Sequence, residues 1–110
     1  SDLDVSLPDG TEDELYLAAL GDALVHTAMA GEFDLAVYLA GADPYADDRF
    51  GRLGLSKDGL AKRDRMVLDH CFKAGLPVAV TMAGGYAPNI KDTVDIHFQT
   101  VCIAAEFQNK

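Results

Sequence analysis

The stretch Leu35-Ala36-Val37-Tyr38-Leu39-Ala40, followed by Gly41-Ala42-Asp43-Pro44, decides how this chain folds. Its side chains are apolar without alternation, the pattern of a strand buried on both faces of a parallel sheet. Gly41 and Pro44 punctuate its end. A second strand opens after Gly75 and Pro77, runs from Val78 to Met82 and ends in Ala83-Gly84-Gly85-Tyr86. Between the two lies a loop rich in Asp, Arg and Gly that reaches Leu55. Ser56 then caps a helix with Leu60, Val67, Leu68, Cys71 and Phe72 on its apolar side. A helical crossover between two strands makes them parallel.

Working outward, Leu3 to Leu7 alternates apolar and polar residues and reads as a strand end. Pro8-Asp9-Gly10 is a turn. Thr11, with Glu14 three residues on, forms the capping box of a helix carrying Leu17, Leu20, Leu24 and Ala28, and Gly31 ends it. Asn89 or Asp92 starts a last helix with Ile90, Val94, Val101 and Ala105 as its inner stripe. Strand and helix alternate three times, so the fold class is α/β: a three-layer parallel sheet with flanking helices, in one domain over residues 1–110.

The chain has 110 residues, 18 acidic and 9 basic, and a net charge of −9. A nucleic-acid partner needs a basic face, so that class is excluded. The acidity suits solubility and a weak attraction for cationic substrates. No apolar run approaches the roughly 18 residues that span a bilayer, so no membrane is expected. Residues 1–10 are acidic and polar rather than basic then apolar, so no signal peptide is expected there. Cys71 and Cys102 lack metal-ligand spacing and read as reduced thiols of a cytoplasmic protein.

Parallel sheets place ligands at the carboxyl ends of their strands, where Asp43 and Tyr86 stand. A carboxylate after a buried strand is solvated, bonded to backbone amides, or bound to a cation. Tyr86 follows two glycines, which permit positive φ and close approach of the backbone; it also reads as the exposed residue of a plain turn. With the strands as neighbours, a hard carboxylate and a phenol donor share one crevice, suited to a Lewis-acid metal and an oxyanion.

The residues Leu39-Ala40-Gly41-Ala42-Asp43-Pro44-Tyr45-Ala46-Asp47-Asp48-Arg49-Phe50-Gly51-Arg52-Leu53 resemble the histone-deacetylase family segment in which Gly-Ala-Asp precedes Asp-Arg-Leu-Gly. Val78 to Tyr86 resembles that family's last sheet strand and tyrosine turn. Val5 to Thr11, with Tyr16, resembles its preceding loop and helix. Arg63-Asp64 and the single Ala83 before Gly84-Gly85-Tyr86 resemble the class IV and bacterial branch. The resemblance implies the carboxyl-terminal part of an arginase/deacetylase fold. It implies Asp43 as the third zinc ligand and Tyr86 as the catalytic donor to the substrate carbonyl and the tetrahedral oxyanion. It implies Gly84 and Gly85 as the residues that set the tyrosine loop, and acyl-amides such as acetyl-lysine or acetylated polyamines as substrates. Asp47 stands where the family usually has glycine, and Ala83 replaces a glycine of many members.

The family site also needs an Asp-x-His pair at a strand end and a His-His pair, and neither stands here. Asp95-Ile96-His97 spells Asp-x-His within a helical pattern, where i and i+2 do not share a face. His26 and His70 sit within helices. A lone carboxylate holds zinc poorly, so the chain alone is expected to be inactive and to bind no zinc stably. It is a fragment of a longer protein, a short protein that kept the fold without the chemistry, or one part of a site completed by another chain. A cut sheet exposes an edge, so a homodimer or higher oligomer is expected. The competing function is a non-catalytic self-associating or protein-binding module. A nucleotide-binding domain is disfavoured, because no GxGxxG or GxxxxGK[ST] loop follows a strand.

Overall fold

The computed structural model describes residues 2–48 and 51–110; Ser1, and Arg49 and Phe50 of the family-like loop, lie outside the described residues. Five elements follow in order: α1 (Asp13–Met29), β1 (Ala36–Gly41), α2 (Lys57–Lys73), β2 (Val78–Ala83) and α3 (Ile90–Gln108). β1 and β2 pair in parallel, from Ala36 opposite Val78 to Gly41 opposite Ala83. The sheet ladder therefore ends level on both strands, and the two loops that follow it emerge side by side. The Ala42 N–H donates to the Ala83 carbonyl at 3.1 Å and carries the pairing one residue past the strands.

The α/β parallel class stands. The described residues form two strands rather than three, however. Leu3 to Leu7 makes no ladder; Val5 and Leu7 instead border a shallow hollow with Tyr16, Leu20 and Ala23 of α1. Leu3 and Val5 remain exposed, so the stretch lies beside α1 without a sheet partner among the described residues. Of the three layers expected, these residues supply the sheet and the helices over one face. Val37 and Leu39 on the other face are 62% and 70% exposed. The unbroken apolar run of β1 thus encodes cover on a face that this chain leaves bare.

Two helix details also differ from the sequence pattern. Thr11 is not the cap of α1: its hydroxyl donates to the Pro8 carbonyl at 2.6 Å, and Glu12 stands at the N-cap with no side-chain cap bond. The start of α1 is tied to α2 instead, because the Asp13 carboxylate accepts from the Ser56 N–H at 2.8 Å and from its hydroxyl. Ser56 caps α2 as expected, accepting from the Gly59 N–H at 2.9 Å. Asn89 caps α3, but the expected inner stripe is turned away: Ile90, Val94 and Val101 are exposed, while Ile96, Thr100 and Ile103 are buried. A polar residue, Thr100, faces inward because a buried carboxylate awaits it there.

The core gathers Ala42, Leu55, Leu60 and Ile96, with Tyr16, Tyr45 and Leu53 against it. Ala42 adjoins Asp43, so this buried cluster backs the loops at the carboxyl ends of the strands. The Tyr45–Leu55 bridge and the Gly10–Arg52 and Gly54–Thr11 backbone bonds close those loops over the core.

Candidate functional site

The site begins with a fixed strand end. Arg63 of α2 donates from Nη1 to the Gly41 carbonyl at 2.6 Å. The same guanidinium donates from Nε and Nη2 to Oδ1 of Asp64, at 3.1 and 3.0 Å. Asp64 also accepts from the Tyr38 hydroxyl of β1 and, on Oδ2, from the Thr100 hydroxyl of α3 at 2.5 Å. One buried carboxylate therefore joins β1, α2 and α3 directly behind the Gly41–Asp43 turn. Burial holds the Tyr38 phenol far above the usual tyrosine range, Arg63 opposes this, and the bond to Asp64 adds to it.

Asp43 is exposed at the lip of this turn. Its Oδ1 accepts from the Gly85 N–H at 2.9 Å, which joins the two strand-end loops. Gly84 and Gly85 have φ of +64° and +107°, a region that L side chains avoid. Space demands glycine as well. A Cβ on Gly84 would lie 1.5 Å from Asp43 Oδ1, and one on Gly85 would lie 2.3 Å from Thr93 Cγ2. The pair lets the backbone reach the carboxylate, so the Gly-Gly turn and Asp43 form one unit.

Tyr86 follows, 54% exposed, with its backbone N–H donating to Asp48 Oδ2 at 2.7 Å. Asp48 is 7% exposed, and its Oδ1 accepts from the Gly51 N–H at 3.0 Å. His97 of α3 brings Nε2 within 3.4 Å of the Gly84 carbonyl, and its Nδ1 is buried without a partner among the described residues.

The structure thus brings all four sequence-predicted site residues, Asp43, Gly84, Gly85 and Tyr86, to one end of the sheet. Sequence reading missed four that support them. Asp48 carried a signal as the acid of the family-like loop, and Arg63-Asp64 as the pair after Ser56. His97 was taken only as half of an Asp-x-His string; Asp95 turns to Lys57 at 3.1 Å, and His97 to the Gly84 loop. Asp47 lies in ordinary backbone, since no described residue other than glycine has positive φ. Ala83 sits within the last ladder pair, opposite Gly41.

A carboxylate such as Asp43 suits one position of a zinc site, which takes three or four ligands. Among the described residues no group of three or more His, Cys, Asp or Glu side chains is placed to hold a metal ion. No helix of the described residues is long and apolar enough to cross a membrane.

A parallel α/β unit with its acidic and tyrosine turns at the carboxyl ends of adjacent strands defines the class. Residues 1–101 match the histone deacetylase domain, and the chain belongs to that family. It is 44% identical over 97 residues to an uncharacterised protein of Picosynechococcus sp., an alignment that covers 88% of this chain and 32% of that protein. It is 32% identical over 85 residues to histone deacetylase 2 of Arabidopsis thaliana, covering 77% of this chain and 22% of that one. The fold superposes on the acetylpolyamine aminohydrolase of Burkholderia pseudomallei with a TM-score of 0.70 at 21% identity, over 89% of this chain and 26% of that structure. The chain thus spans a third or less of the length of these relatives.

Proposed function

We propose that this chain is the carboxyl-terminal portion of a zinc-dependent deacetylase domain acting on acyl-amides of the acetyl-lysine or acetylpolyamine type, and that it is inactive by itself. The observation that supports this reading is the Asp43–Gly85 bond, which puts a metal-type carboxylate and the tyrosine turn in one assembly. In the completed domain Asp43 is one zinc ligand. Tyr86 donates its phenol O–H to the substrate carbonyl oxygen and holds the oxyanion that forms there. Zinc, when bound, supplies Lewis acidity and an activated water. The other ligands and the proton-transfer groups belong to a part of the domain outside these 110 residues. The charge of −9 favours a cationic amine substrate.

The test is a chimera in which this chain replaces the matching segment of the Picosynechococcus relative. It should bind about one zinc and release acetate from an acetyl-lysine peptide or an acetylated polyamine. Asp43→Ala should lose the zinc. Tyr86→Phe should keep it and lose about a hundred- to a thousandfold in kcat. A folded, zinc-loaded chimera that hydrolyses neither substrate, beside a parent that does, would refute the reading.

The bare face carrying Val37 and Leu39 favours a second reading, a self-associating or protein-binding module that includes a homodimer. Light scattering on the 110-residue chain tests the self-associating form: a one-chain mass at high concentration removes it.

A further inference from the structure

The tyrosine turn is held at two successive amides by two different carboxylates. Gly85 N–H meets Asp43, and Tyr86 N–H meets Asp48. The two acids differ in setting. Asp43 is exposed at the lip of the crevice, whereas Asp48 is nearly sealed, 7% exposed, with one oxygen turned to Tyr86 and the other to Gly51. A buried carboxylate that accepts two backbone N–H groups is a fixed point, because each charge-assisted bond is short and directional. Tyr86 needs such a point. It follows two glycines at positive φ, whose backbone otherwise has the widest freedom of any residue.

We propose that Asp48 is the positioning residue of Tyr86, fixing where the chain leaves the Gly84-Gly85 turn and so where the phenol stands relative to Asp43. This rests on the reading of Tyr86 as the donor to the substrate carbonyl. Asp48 touches neither substrate nor metal; it acts through the Tyr86 backbone. The loop that carries Asp43 also carries Asp48, five residues on, so one segment holds a candidate metal donor and the support of the candidate oxyanion donor. Displacing that loop moves both together.

Asp48→Asn keeps the side chain's shape but leaves one acceptor oxygen, so either Gly51 or Tyr86 faces an amide N–H instead. Two measurements test the proposal. The first is amide hydrogen exchange on the 110-residue chain. In Asp48→Asn the Tyr86 amide should exchange at least about tenfold faster, while the amides of Leu68 and Ile103 stay unchanged. The second is the chimera carrying Asp48→Asn. Its kcat should fall about ten- to a hundredfold with KM and zinc content unchanged, and Asp48→Glu should restore part of the loss. Unchanged Tyr86 exchange, or an equal rise at all three amides, overturns the proposal, because Asp48 would then do nothing for Tyr86 or serve only general stability. So does a fall in zinc content that matches the fall in kcat. If the unmodified chimera is folded and zinc-loaded yet inactive beside an active parent, the reading of Tyr86 fails, and the exchange comparison alone still decides whether Asp48 places it.

Discussion

Asp64→Ala should be the most damaging single truncation in this chain. The carboxylate accepts from the Tyr38 hydroxyl, from Arg63 twice and from the Thr100 hydroxyl, and both charged side chains are buried, at 4% and 1% exposure. Removing it leaves the Arg63 guanidinium without its buried counter-charge, with the Gly41 carbonyl still accepting from it. Breaking a buried pair in this way costs about 3–5 kcal/mol. The two hydroxyls add to this less than their separate bonds, because all three donors share one acceptor. A small domain holds about 5–15 kcal/mol in total, so the variant should lose a large part of its stability. Tyr38→Phe and Thr100→Val each remove one bond to a charged acceptor and should cost about 1.5–3 kcal/mol. The assay is urea unfolding followed by far-ultraviolet circular dichroism, comparing midpoints at equal slope. The double variant Tyr38→Phe/Thr100→Val should depart from additivity by more than about 0.5 kcal/mol. An Asp64→Ala variant within about 0.5 kcal/mol of the parent would refute the reasoning, since no unpaired guanidinium could then lie buried behind Gly41.

Three further outcomes follow from the geometry. Gly84→Ala puts a methyl onto Asp43 Oδ1 at a φ of +64°; it should cost about 1–3 kcal/mol in a melting experiment and abolish turnover in the chimera, while Gly21→Ala, within α1 and with its Cβ only in ordinary contact with Met66, should leave turnover intact. Tyr38 has a folded-state pKa raised by burial, so its contribution to stability is complete below the ordinary tyrosine value and is lost as pH rises above it; alkaline titration should show one phenol ionising only as helix is lost, a step absent from Tyr38→Phe. Cys102 is exposed, while Cys71 is buried with its thiol pushed up by desolvation, so a thiol reagent should modify one cysteine at once and the second only on unfolding.

Local signals made most of the architecture legible. Ser56 and Asn89 cap helices through side-chain oxygens three and two residues from their donors, and Gly75 and Pro77 mark where α2 yields to β2; these are neighbour effects that any stretch of chain carries with it. The glycines at 84 and 85 announced a close approach, and the carboxylate of Asp43 is what approaches. The third strand and the cap of α1 were misread because each depends on a distant partner. Leu3 to Leu7 found α1 rather than a strand edge, and the Pro8–Thr11 turn was drawn to the 52–54 backbone.

By itself the sequence determined the parallel α/β class, the order of its elements from the first helix onward, and the placing of Asp43 and Tyr86 at strand ends, since these follow from periodicity, turn residues and family motifs. Only the tertiary structure decided which face of α3 turns inward. Apolar periodicity favoured Ile90, Val94 and Val101, but the Asp64 carboxylate, 36 residues from Thr100 in sequence, needs that hydroxyl and rotates the helix to obtain it. The same holds for the support of the tyrosine turn. Asp48 and Tyr86 are 38 residues apart, and no local pattern relates a loop carboxylate to the backbone N–H it will hold. Hydrogen bonds between distant segments are satisfied by position in space, and position is what folding adds.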